Sequence, residues 1–224
     1  MKNAPAMTEV FAPAPFSGRR VVCRRGERLV FRGLDFDVEP GGVLLLRGPN
    51  GSGKSSLLRL MSGLLRPAEG EIRWAGAPIG AEPELHRRRL AFLGHLDAVK
   101  PALTAAENLR FWCGPAAAPA LGALGLDHLA ELPARLLSAG QRRRLALARV
   151  VARQAPLWLL DEPGNGLDTE AESLFAAALA AHRAGGGIAV IALHGGAAPP
   201  GAIVLTLAPP GAAEAGETLP VEAA

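Results

Sequence analysis

The sequence predicts an α/β protein built on a buried parallel sheet, and three stretches carry that expectation. Val43-Leu44-Leu45-Leu46 is a short apolar run leading into the glycine-rich GPNGSGKSS of Gly48 to Ser56. Leu157 to Leu160 is a second run, ended by Asp161 and Glu162, and Ile188 to Leu193 is a third, ended by His194. Short continuous apolar runs bounded by turn residues suit strands that are buried on both faces.

The elements follow in order. Met1 to Gly18 is rich in Ala and Pro and has no basic segment leading into a continuous apolar core, so it is expected to be a loose cytoplasmic tail rather than a secretory signal. Pro40-Gly41-Gly42 breaks the chain before the first run, and the glycine loop after it should open a helix. Leu90 to Leu93 reads as a further strand, ending in GHLDAVK. Thr104 and Glu107 have capping-box spacing, as do Ser138 and Gln141, so each pair should start a helix. In the second helix Leu145, Leu147, Ala148 and Val151 would face a core. Beyond about Ala208 the composition turns to Ala, Gly, Pro and Glu, which predicts a disordered tail over 208–224.

Composition bounds the class. At 224 residues and 49% hydrophobic, the chain holds one sizeable core spanning about 19–207, with room for a small inserted subdomain. No apolar run approaches the roughly twenty residues that cross a bilayer. Cys23 and Cys113 form no metal-binding or disulfide pattern and read as ordinary buried small residues. The net charge is only +3, and lysine occurs solely at Lys2, Lys54 and Lys100. The triplets Arg87–Arg89 and Arg142–Arg144 would suit an acidic partner, but the plainer reading is solvated helix faces, and no nucleic-acid partner is expected. The histidines, His86, His95, His128, His182 and His194, form no ligand pair at helical spacing.

The glycine loop matches G-x-x-x-x-G-K-[ST] at every fixed position, with Gly48, Pro49, Asn50, Gly51, Ser52, Gly53, Lys54, Ser55 and Ser56 as its residues. Glycines let successive backbone N–H groups turn inward onto phosphate oxygens. Lys54 brings charge toward the β- and γ-phosphates of a nucleotide, and Ser55 offers a hydroxyl to Mg²⁺. A glycine-rich turn capping a helix is the bland alternative. Asp161 suits Mg²⁺, directly or through water, and Glu162 is free to orient or deprotonate an attacking water. His194 at the end of a third strand would deliver an imidazole to the γ-phosphate, the alternative being a structural histidine.

Taken with the phosphate loop and the Asp161–Glu162 strand, LSAGQ at Leu137, Ser138, Ala139, Gly140 and Gln141 resembles the signature of ABC-transporter ATPases. The resemblance covers about residues 20 to 207. It implies a phosphate-loop NTPase of the ABC-ATPase type, with an N-terminal antiparallel β part and a small helical subdomain at about 96–150. It also implies ATP and Mg²⁺ as ligands and a head-to-tail pair of chains in which Ser138 and Gly140 reach the partner's ATP. Asn165, Gly166, Leu167 and Asp168, matching the family's D-loop, would lie at the joint. LGHLDAVKPALTAAENLRFW, LSAGQRRRLALARV and PLWLLDEPGNGLD together look like the ATP-binding subunits of the haem exporter of cytochrome c maturation. That likeness implies an ATPase at the cytoplasmic face of the bacterial inner membrane. Its partners would be integral membrane exporter subunits and, indirectly, a periplasmic haem chaperone.

Two departures from the family pattern stand out. Where an aromatic residue usually stacks on adenine, the chain reads Cys23-Arg24-Arg25-Gly26, and Arg25 is expected to stack its guanidinium on the base instead. Where the family places a glutamine at the end of the strand after the phosphate-loop helix, this chain has Gly94-His95, so His95 either contacts Mg²⁺-bound water or is a solvent-facing loop residue. Two rival functions keep the same motifs: the ATPase of another small exporter for lipid, drug or peptide, and a soluble ABC-type ATPase acting on nucleic acid or ribosomes.

Overall fold

A computed structural model describes residues 12–114, 117, 119–195, 197–209 and 221–223. Two sheets organise it. The first is antiparallel, formed by β1 (Phe16–Arg25), β2 (Arg28–Val38), β4 (Glu69–Trp74) and β5 (Ala77–Pro78) in the order β2-β1-β4-β5. The second contains β3 (Val43–Arg47), β6 (Leu90–Leu93), β7 (Leu157–Asp161), β8 (Ile188–Ala192), β9 (Ala202–Thr206) and β10 (Val221–Ala223), in the order β10-β9-β3-β8-β7-β6. All its neighbours pair in parallel except β10 against β9.

The continuous apolar runs are explained by burial on both faces of the second sheet. Leu44 and Leu46 of β3, with Leu157 and Leu159 of β7 and Ile188 and Val190 of β8, share one core with the antiparallel sheet and with α1 (Lys54–Met61). The alternate residues Val43, Leu45, Trp158, Leu160, Ala189 and Ile191 point the other way, into a core completed by four helices. These are α3 (Ala105–Cys113), α4 (Pro119–Gly122), α5 (Ala139–Ala152) and α6 (Thr169–Ala184). The remaining helix, α2 (Pro83–Arg89), leads into β6. Each fully buried Leu or Ile contributes about 1.5–3 kcal/mol, so the two cores rather than the turns hold the sheet in place.

Both predicted capping boxes form. Thr104 Oγ1 accepts from Glu107 N at 3.1 Å while Glu107 Oε2 accepts from Thr104 N at 2.8 Å, and Ser138 and Gln141 do the same at the head of α5. Buried Asn108 clamps the loop before α3 by accepting from Lys100 N and donating to the carbonyls of Lys100, Leu103 and Thr104.

Several expectations need correction. The stretch read as a tail to Gly18 enters β1 at Phe16, whose ring packs on Phe36 and Trp74, so three aromatics rather than local composition decide the boundary. Within the expected C-terminal tail, Val221–Ala223 pairs with β9, because an edge strand uses backbone groups that composition does not reveal. Residues 1–11, 210–220 and 224 lie outside the described residues. The third strand stops at Ala192, one residue short of Leu193. Cys23 is buried as expected, whereas Cys113 is only partly so. Finally, Arg143 in the triplet read as a solvated face is 5% exposed, while Arg87 and Arg88 do face solvent.

Candidate functional site

The parallel sheet sets the site. Along its carboxyl edge the phosphate loop follows β3, His194 follows β8, and Asp161 and Glu162 end β7, three adjacent strands. Open α/β sheets bind ligands at this edge. A cleft of about 360 Å³ lies there, lined by Arg25, Arg28, Val30, Asn50, Gly51, Gly53, Lys54, Ser55, Ser56, Asp161 and Glu162.

The loop's geometry suits phosphate. Gly53 has φ +104°, and a Cβ there would stand 2.6 Å from Val30 Cγ1, so the turn into α1 requires glycine twice over. Lys54 is buried at 7% exposure, and its Nζ donates to Gly48 O at 2.7 Å and Pro49 O at 3.2 Å, which holds the ammonium under the loop. Ser52 Oγ is buried with no hydrogen-bond partner among the described residues. Such a buried, unpartnered hydroxyl in the glycine loop fits an anion that supplies the missing contact. Ser55 is exposed at the head of α1, open to the cleft.

Asp161 is 8% exposed and presents its carboxylate at the strand end. One serine hydroxyl and one or two carboxylates facing a phosphate site form the sparse oxygen set that Mg²⁺ accepts when phosphates and water complete its shell. Glu162 has φ +49°, a left-handed conformation that costs a non-glycine residue about 1–3 kcal/mol and persists only where surrounding bonds impose it. Those bonds are present. Glu162 N donates to Ala192 O at 3.0 Å, and Asn165 Nδ2 donates to Glu162 Oε2 at 3.0 Å, fixing the carboxylate in place. His194 is exposed, and its Nε2 meets Asn50 Oδ1 of the phosphate loop.

The signature stretch lies apart from the cleft. Leu137 is buried and anchors it, while Ser138 and Ala139 are exposed at the N-terminus of α5. Gly140 packs closely on the D-loop stretch, since a Cβ there would sit 2.8 Å from Gly166 O. Asn165 and Gly166 are exposed and Leu167 is half-buried, and Asp168 caps α6 by accepting from Ala171 N at 2.8 Å. A helix N-terminus with exposed N–H groups and a hydroxyl is an anion site by nature. His95 is exposed in the bend after β6 and does not line the cleft.

The sequence did not single out Arg28, which shares the cleft rim with Arg25 across the tight turn between β1 and β2. Its nearness to the turn residues before Gly26 was the available signal. The grip of Asn165 on Glu162 was equally unmarked, because a three-residue spacing says nothing until the loop's path is known.

Comparisons with known proteins place the chain in a family. The ABC transporter family profile matches residues 31–165. The cytochrome c biogenesis ATP-binding export protein CcmA of Rhodospirillum rubrum is 52% identical over 202 residues, covering 88% of this chain and 87% of its own length. The protein of that name from Paramagnetospirillum magneticum is 49% identical, covering 86% of this chain and 93% of its own. Among solved structures, a bacterial Atm1-family ABC exporter with ATP bound superposes with a TM-score of 0.77 at 24% identity, over 92% of this chain and 39% of that one. The ATP-binding subunit of an ABC transporter superposes with a TM-score of 0.73, also at 24% identity, over 80% of this chain and 79% of that one. These two likenesses carry the fold alone. With more than half its length matched by the family profile, and with such relatives over nearly all of it, this chain belongs to the ABC transporter family, among the cytochrome c biogenesis ATP-binding export proteins.

Proposed function

We propose that the chain is the ATP-hydrolysing subunit of a membrane complex for cytochrome c biogenesis, coupling hydrolysis to haem export or to release of haem from a periplasmic chaperone. The observation that carries this reading is the identity of about half over nearly the full length with relatives named for that process. The phosphate loop wraps the β- and γ-phosphates of ATP, with Lys54 adding charge. Ser55 and Asp161 hold Mg²⁺, which, when bound, neutralises charge on the phosphates. Glu162, aimed by Asn165, orients and deprotonates the attacking water, and His194 adds a donor at the γ-phosphate. Arg25 stacks on the adenine.

Ser138 and Gly140 have no phosphate of their own, so a second copy supplies it. Two chains close head to tail on two ATP molecules, with Asn165–Asp168 at the joint. Among the described residues no helix is long and apolar enough to cross a membrane. Attachment to the cytoplasmic face of the inner membrane therefore runs through integral exporter subunits. The exposed aromatic pair Phe111 and Trp112 on α3, with Lys100 Nζ 4.3 Å from the Phe111 ring centre, supports docking there.

The test is chromosomal replacement of Glu162 by Gln, followed by haem staining of denatured membrane proteins. Loss of covalent c-type cytochromes with b-type haem retained is the expected result. Unchanged c-type staining removes haem as the cargo and turns the search to another exported molecule.

A further inference from the structure

One heavily bonded side chain lies outside the cleft. Arg143, in the second turn of α5, is buried with its guanidinium 7% exposed. Its Nη2 donates to Asp161 O at 2.7 Å and Glu162 O at 2.6 Å, and its Nε donates to Pro163 O at 3.3 Å. Its Nη1 turns the other way, to Gly94 O at 3.2 Å and to the Asp97 carboxylate at 2.9 Å. One planar cation thus joins three segments: the backbone that bends Glu162 into its left-handed conformation, the loop following β6, and the helix whose first residues are the signature.

We infer that Arg143 is a positioning residue for Glu162, and that Asp97 sets the orientation of Arg143 from the β6 loop. This rests on the reading of Glu162 as the residue that activates water. The physical case is geometric. The carbonyls of residues 161 to 163 converge on one point as the chain turns out of β7, and converging carbonyl dipoles repel unless a cation sits among them. A guanidinium presents five donors in a fixed fork, so it can satisfy four carbonyls and a carboxylate at once, whereas an ammonium cannot. Displacing the β6 loop would pull on Asp97, rotate the fork, and shift the backbone from which the Glu162 carboxylate projects. ATP binding would be spared, because Arg143 touches neither the phosphate loop nor any lining residue beyond Asp161 and Glu162.

The experiment is a double-mutant cycle on steady-state ATP hydrolysis by the full chain in its membrane complex, with ATP binding measured in parallel. Arg143→Lys keeps the charge and loses the fork. Asp97→Ala removes only the partly exposed partner, whose side chain is 27% exposed, and so guards against a variant that merely fails to fold. Both are expected to lower kcat by about tenfold with KM for ATP within about twofold. In a Glu162→Gln background, Arg143→Lys is expected to cause no further loss, because both changes act on one group. Full kcat in Arg143→Lys while Glu162→Gln keeps only residual turnover overturns this inference alone, as does a loss that multiplies on the two backgrounds. Full kcat in Asp97→Ala overturns the link to the β6 loop. Normal turnover in Glu162→Gln overturns the reading of Glu162 and this inference with it.

Discussion

His194 reaches across 144 residues of sequence to place its Nε2 against Asn50 Oδ1. The contact joins the end of β8 to the rim of the phosphate loop. Because β8 lies between β3 and β7 in the sheet, the strand order sets His194 between the glycine loop and the Asp161–Glu162 turn. His194→Ala should therefore leave ATP binding within a few-fold of the parent and lower kcat by about 10²-fold, the usual size of a lost acid–base or donor contact. Equilibrium binding of ATP and single-turnover hydrolysis measured on one preparation separate the two effects. Wild-type turnover would return His194 to a structural role.

Gly140 stands so close to Gly166 that a methyl group has no room. The obstructing atom is a backbone oxygen, so neighbouring side chains cannot relieve the clash by changing rotamer. Gly140→Ala is expected to destabilise the chain by about 1–3 kcal/mol, or to push the exposed D-loop stretch outward at little cost in stability. Thermal unfolding checks the first outcome. Loss of ATP-induced dimerisation at an unchanged melting temperature would indicate the second, and no effect on either would contradict the packing.

Two guanidiniums, Arg25 and Arg28, share the cleft rim where adenine is expected. A cationic platform holds a base by stacking and by its field, and the field is screened by salt. Replacing both with Ala should raise KM for ATP about tenfold at low ionic strength and less in high salt, with kcat little changed. If KM for ATP is unmoved in the double variant at both salt concentrations, the base is held elsewhere.

The buried imidazoles bring a pH dependence of stability that is separate from catalysis. Burial pushes His86 below its ordinary value of 6.5, against a smaller upward pull from the bond to Met61 O, and nearby Arg89 lowers it further. His86 Nε2 lies 2.8 Å from Met61 O, and with no partner at Nδ1 among the described residues the ring is best satisfied neutral. Burial likewise lowers His182, stacked on Trp158 at 4.0 Å between ring centres and opposed by its bond to Ile188 O. A lowered folded value means that the unfolded chain binds more protons below about pH 6.5. Stability is therefore full above that pH and falls as the pH drops through it toward the folded values. Urea midpoints should drop between about pH 7.5 and about pH 5.5, and His86→Gln should flatten that drop. An identical slope in the variant would show that other groups carry the acid sensitivity.

The order of motifs determined the fold class and most of the site. Apolar runs ending in Gly48, Asp161 and His194 required a parallel sheet, because only burial on both faces explains strands without polar alternation. Capping boxes at Thr104 and Ser138 were legible because they are local, complete within four residues. Tertiary structure decided what depends on convergence. Arg143 sits in a triplet whose spacing resembles a solvated face, yet it is buried because carbonyls from β7 and the β6 loop meet around it. Phe16 belongs to a strand because Phe36 and Trp74, distant in sequence, pack on it. The left-handed turn at Glu162 is set by Ala192, Asn165 and Arg143 together. Local patterns follow from the chemistry of adjacent residues, whereas a buried cation or a strained backbone exists only when distant groups supply its partners.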